Sequence, residues 1–158
     1  KVSVNSLAVR NPQIIADGAR EFGAQCVVLG MDAKRVGVSG KIPSGYEIYI
    51  KGGRAATGLD AVEWAKKAES LGAGEICLNA MDTDGVRDGY ELEITDKVAR
   101  AVGIPVIASG GAGKPSHIAD LFAKTSADAA LVASMVHFGD YTVGRIKEEM
   151  SKANIPKF

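Results

Sequence analysis

Two features of this sequence have the residue types to do chemistry: an isolated carboxylate and a glycine-rich turn. Asp32 directly follows the apolar run CVVLGM, and IPVIASGGAG passes from β-branched residues through Ser109 into a turn carrying Gly110, Gly111 and Gly113. A carboxylate at the end of a buried strand, packed by apolar neighbours, is suited to act as an acid or base near neutral pH. The same residue could instead be neutralised by Lys34 or Arg35 beside it. Glycines let backbone N–H groups approach an anion without Cβ obstruction, and a following helix N-terminus adds favourable partial charge. On that reading SGGAG is a phosphate cradle, with Ser134 on the next strand offering a hydroxyl and a main-chain donor. The other reading is a tight strand-to-helix turn that needs positive φ. In MDTDG, Asp82 or Asp84 could bind a substrate hydroxyl, although this is also ordinary turn composition. His117 and His137 are far apart and no Cys/His cluster has metal-site spacing, so neither a metal nor a cofactor is expected, and both histidines are read as capping or packing residues.

Positioning these groups requires elements that bring their tips together. Short β-rich runs occur at 2–4, 26–31, 76–81, 104–108 and 129–133, each apolar on both faces, as in parallel strands covered by helices. They end in Asn5-Ser6, in Asp32, in Asn79 followed by Asp82 and Asp84, in Ser109-Gly110-Gly111, and in Ser134. In a parallel sheet the C-terminal ends point the same way, so one rim collects all of these groups.

Between the runs lie helical patterns. NPQIIADGAREFG offers Asn11 as N-cap and Pro12 as first helical residue, with Ile14, Ile15, Ala19 and Phe22 inward and Gly23 as the stop. A second helix runs from Asp60 to Gly72 with Val62, Ala65 and Leu71 inward. ELEITDKVARAVG ends at Gly103, PSHIADLFAKT opens on Pro115, and DYTVGRIKEEM presents Val143, Ile146 and Met150 as its apolar stripe. Two closures of this alternation compete, a doubly wound sheet of flavodoxin type and an arc of an eight-unit barrel, which needs about 250 residues. The segment 36–58 interrupts the rhythm and reads as a mobile, hairpin-like flap over the strand ends.

Bulk composition bounds the partners. The chain has 158 residues, 46% hydrophobic and 24% charged, as expected of a single domain over 1–158 with a sizeable core. Its 19 basic and 19 acidic side chains cancel, which argues against nucleic acid or an anionic membrane as partner and for a small ligand or another protein. Cys26 and Cys77 sit in apolar runs and are read as buried reduced thiols. No membrane span or signal peptide is apparent, so a cytoplasmic location is expected.

KVSVNS, VVLGMDAKRV, GAGEICLNAMDTDGVRDGY, IPVIASGGAGKPSHI and ADAALVASMVHF, in this order, resemble the cyclase subunit of imidazole glycerol phosphate synthase, a family of histidine biosynthesis. The resemblance implies a (βα)8 barrel. It also implies a reaction in which ammonia and a bisphosphorylated formimino-type aminoimidazole carboxamide ribonucleotide give imidazole glycerol phosphate and aminoimidazole carboxamide ribonucleotide. The ammonia would come from a glutaminase subunit docked on the N-terminal face, and two strand-end aspartates would serve as general acid and base.

Carried over by position, Asp32 matches the second catalytic aspartate, on the family's fifth strand. Asn5 and Ser6 match residues near one phosphate, with Ser6 where a threonine often stands. Asn79, Asp84 and Gly85 match the sixth-strand wall, while Ser109, Gly111 and Ser134, with Gly110 between, match the cradle for the other phosphate. Lys1 and Glu75 match charged residues ringing the ammonia entrance. The resemblance starts at the family's fourth strand, so the expected architecture is a partial (βα)8 TIM barrel of about five βα units, strands 4 to 8. A truncated chain or one piece of a split enzyme is expected, without turnover alone because the first-strand aspartate is absent. Two alternatives stand beside it: a noncatalytic, phosphate-binding half barrel that self-associates through its open edges, and the related ketol-isomerase of the same pathway.

Overall fold

A long central strand organises the sheet. In the computed structural model, which describes residues 1–152, β2 covers Val27–Arg35, and its two edges serve three partners. On one side it pairs in parallel with β5 (Glu75–Ala80), which pairs with β6 (Val106–Ser109), which pairs with β7 (Ala129–Ala130). Its other edge is shared. The first half takes β1 (Val2–Val4) in parallel, and the second half takes β3 (Tyr46–Ile50) antiparallel. β3 then turns back into β4 (Ala55–Asp60), so the 36–58 insertion contains a two-stranded hairpin annexed to the sheet.

Period-two alternation decides which way each strand faces. Leu29, Met31, Ala33, Ile76, Leu78, Ala80, Val106 and Ala108 are all buried, and their in-register neighbours place them on one face. Each large aliphatic side chain removed from water there contributes roughly 1.5–3 kcal/mol. The helices α1 (Ser6–Arg10), α2 (Gln13–Phe22), α3 (Ala61–Ser70), α4 (Leu92–Ala101), α5 (Pro115–Lys124), α6 (Ser134–His137) and α7 (Val143–Lys152) supply the other half of that core, through Ala8, Ile15, Trp64, Ala65, Ile94, Val98, Leu121, Met135 and Met150 among others. The opposite face carries Gly30, Asp32, Glu75, Cys77, Asn79, Ile107 and Ser109, all only half-buried. Helices against one face alone are what an arc of a barrel requires, and a doubly wound sheet would bury both faces. The fold is therefore α/β with a parallel sheet, a partial TIM barrel.

Several local expectations are corrected. Asn11 does not cap α2: it closes the short helix α1, which the sequence reading missed, and Pro12 takes the N-cap position. Phe22 is 65% exposed rather than buried, and lines an apolar groove with Val2, Val4 and Val27. Val143 is likewise exposed, leaving Ile146 and Met150 to anchor α7. In α3 the inward face centres on Ala61, Trp64, Ala65 and Ala68, with Val62 and Leu71 at its margin. Both cysteines are free thiols, but they are half-buried, since Cys77 points to the uncovered sheet face and Cys26 ends a 3-10 turn before β2.

Candidate active site

Register places the polar tips in one row. Asp32 on β2 lies opposite Asn79 on β5, and Asn79 lies opposite Ser109 on β6, so three neighbouring strands present one polar residue each at the same height on the open face. Asn79 donates from Nδ2 to Oδ1 of Asp32 at 3.1 Å, and Asn5, just past β1, donates from Nδ2 to Oδ2 at 3.0 Å. The two carboxylate oxygens are thus each fixed by an amide donor, which aims the carboxylate. Neither adjacent cation pairs with it. Lys34 lies over the Tyr49 ring, and Arg35 pairs with Glu91 and Glu93 on the helix-bearing side.

Gly30 lies beside the Asn5 contact. A Cβ there would crowd Ser3 Oγ at 3.0 Å and just meet Asn5 Cβ at 3.4 Å, so the missing side chain leaves room beside Asn5. The sequence reading passed over Gly30, whose only signal was a glycine inside a β-branched run.

The flap reaches this row. Lys51 N–H, at the hairpin turn, donates to Ser6 Oγ at 2.9 Å, which ties the turn to the first residue of α1. Gly52 and Gly53 of that turn line a hollow together with Asp32, Asn79, Met81 and Asp84.

A second hollow begins where the first ends, since Asp84 lines both. Its other walls include Gly85, Arg87, Ser109, Gly110, Gly111, Ala112 and Ser134. The glycine-rich turn is shaped by close backbone contact. Gly111 has φ of +102°, and a Cβ on it would fall 2.0 Å from the Gly89 carbonyl oxygen. Gly89 N–H donates to the Gly111 carbonyl at 2.9 Å, and the Thr83 hydroxyl donates to the Gly110 carbonyl at 3.2 Å. Carbonyls are therefore committed to the 83–89 loop. Among the described residues, the N–H groups of Gly110, Gly111 and Ala112 have no acceptor, which leaves them for an anion. Gly113 is different: its N–H donates to His117 Nδ1 at 3.2 Å, so this amide is taken and His117 acts as a cap. Positive φ and an amide without an acceptor coincide at Gly110 and Gly111.

The remaining expected residues divide between the two ends of the sheet. Asp82 accepts from Arg35 N–H at 2.7 Å and closes a turn, away from the hollows. Lys1 and Glu75 pair at 2.6 Å at the starts of β1 and β5, the end opposite the Asp32 row. Sequence reasoning missed Tyr90, whose hydroxyl donates to the Leu131 carbonyl at 2.8 Å and whose burial pushes its ionisation up, so it stays a neutral donor bracing the cradle wall. It also missed Arg87. Among the described residues no three His, Cys, Asp or Glu side chains are grouped to hold a metal ion, and no helix is long and apolar enough to cross a membrane.

Residues 1–142 match the family model described as histidine biosynthesis protein. Three curated relatives, each an imidazole glycerol phosphate synthase subunit HisF, show how far the similarity extends. That of Syntrophobacter fumaroxidans is 64% identical over 148 residues, covering 94% of this chain and 57% of its own. That of Solidesulfovibrio magneticus is 60% identical over 155 residues, covering 98% and 60%. That of Desulforapulum autotrophicum is 65% identical over 147 residues, covering 93% and 57%. The chain thus spans less than two thirds of the length of these relatives.

Proposed function

Since the chain belongs to the histidine biosynthesis protein family, we propose that it carries one catalytic carboxylate and one phosphate cradle of an imidazole glycerol phosphate synthase cyclase. The observation that supports this best is the row Asp32–Asn79–Ser109 running into the unoccupied amides of Gly110 and Gly111. A phosphorylated substrate gripped by those amides, by Gly85 at the wall and by the Ser109 and Ser134 hydroxyls would extend over Asp32 beneath the hairpin turn. With both oxygens held by amide donors, Asp32 acts as the base of the pair, removing a proton as ammonia adds and the imidazole ring closes. Asn5 and Ser6 lie where a second phosphate-bearing arm would pass.

The whole reaction converts a bisphosphorylated formimino-type aminoimidazole carboxamide ribonucleotide and ammonia to imidazole glycerol phosphate and aminoimidazole carboxamide ribonucleotide. The glutaminase subunit that delivers ammonia would dock at the Lys1–Glu75 end. Acid and base that work as a unit lose most of their effect singly, so residues 1–158 alone would show negligible turnover.

The test supplies the rest of the barrel. Residues 1–158 are combined with the segment of a curated relative that precedes the matched region, and cyclase turnover is followed with ammonium salt as ammonia donor. Turnover should appear only in the mixture and fall about 10²- to 10⁴-fold with Asp32→Asn. A mixture that forms a complex yet stays inactive, or an active one indifferent to Asp32→Asn, refutes the assignment, and ketol-isomerase activity in its place points to the related enzyme.

A second reading is a half barrel that pairs with another copy, favoured by the apolar groove that Val2, Val4 and Phe22 line. Sedimentation as a strict monomer removes that reading.

A further inference from the structure

The geometry points to Arg87 as the cationic ligand of the glycine cradle, kept at its mouth by Asp140 and transferred to a phosphomonoester dianion on binding. This inference rests on the phosphate reading of that hollow.

The charge balance of the walls requires such a group. Asp84 is the one acidic residue and Arg87 the one cationic residue among those lining the hollow. Main-chain amides and two serine hydroxyls carry only partial charges, so a dianion beside Asp84 lacks a full counter-charge unless Arg87 supplies it. An arginine also matches phosphate with two parallel donors, which a lysine cannot do.

The backbone at Arg87 is held for a purpose. Its φ is +69°, one of two non-glycine residues with positive φ among those described, in the left-handed region that residues with a Cβ seldom adopt. The loop is pressed onto the cradle there, for a Cβ on Gly113 would fall 2.1 Å from the Arg87 carbonyl oxygen. Strained backbone of this kind persists where its surroundings over-determine it, and here the surroundings are the cradle itself.

The guanidinium is now engaged by Asp140, in the turn after α6, the helix that Ser134 begins. Both partners are partly exposed, at 38% and 42%, so solvent screens the pair and it exchanges readily. Asp140 is then a competitor that holds the cation beside the hollow and releases it to a better anion.

Inorganic phosphate is the probe, titrated into the full chain while amide NMR signals are followed. The unsubstituted protein should show shifts centred on Gly110, Gly111 and Ser134. Arg87→Ala should weaken binding at least about fivefold, with Arg87→Asn, which tolerates the left-handed backbone, doing the same and Arg87→Lys falling between. Asp140→Asn should tighten it about two- to fivefold. Absence of cradle shifts in the unsubstituted protein overturns the phosphate reading and this inference with it. Cradle shifts with unchanged affinity in folded Arg87→Asn overturn the role of Arg87 alone, and unchanged or weaker binding by Asp140→Asn overturns the competition by Asp140.

Discussion

Asn79 joins the two halves of the site through Asp32: its Nδ2 donates to the carboxylate at 3.1 Å, while its Oδ1 lies 3.1 Å from where a Cβ on Gly110 would stand. One side chain therefore binds Asp32 and borders the glycine-rich turn. A substitution at either neighbour is felt at the other.

Gly30→Ala should leave stability within about 1 kcal/mol while lowering turnover of the complemented enzyme a few-fold. The added methyl meets Ser3 Oγ at 3.0 Å, so Ser3 must shift, and it crowds Asn5 at 3.4 Å beside the carboxylate without opening a cavity. The loss should appear in kcat more than in KM, and a variant with unchanged kcat would show that the Asn5 contact is dispensable.

Gly111→Ala should cost at least about 2 kcal/mol, because an L side chain is strained at φ of +102° and its Cβ meets the Gly89 carbonyl. Urea unfolding measures this directly. A loss within a few tenths of a kcal/mol would mean that the 83–89 loop retreats freely.

Asp60→Ala should lower stability by about 1–2 kcal/mol at neutral pH, since Asp60 caps α3 through Val62 and Glu63 and binds Ser44 N–H. Burial raises its carboxyl, but the hydrogen bonds from Ser44, Glu63 and Val62 outweigh that and hold it below its ordinary value. With a depressed folded value, its contribution is complete above the unfolded carboxylate range and disappears as pH falls through the folded value. The gap between parent and variant should therefore close in acid, and a gap that persists there contradicts the linkage.

Cys77 should alkylate more slowly than a free cysteine near neutral pH, because burial first, then Asp32 and Glu75, push its thiol up. Asp32→Asn removes one of those negative charges and should speed modification a few-fold. Iodoacetamide labelling followed by mass spectrometry reads both rates, and no acceleration would place Asp32 too far away to matter.

The alternation of apolar runs and amphipathic segments was legible because it reflects a local periodicity, and so were the strand-end groups, since parallel strands deliver their tips to one rim. That rule alone picks out Asp32, Asn79 and Ser109. The glycine-rich turn was legible as a turn, but its allocation of amides was not: Gly113 is spent on His117 while Gly110 and Gly111 stay free, a distinction made by atoms many residues away.

Local pattern thus determined which residues form elements and which polar groups lie at their ends. Tertiary structure alone decided three further matters. It set the helices on one face, because burial of Leu29, Leu78 and Ala108 is a property of packed layers. It aimed Asn5 past Gly30 to Asp32, and it brought Arg87 to the cradle and Asp140 to Arg87, because charges distant along the chain meet only where loops from different strands converge.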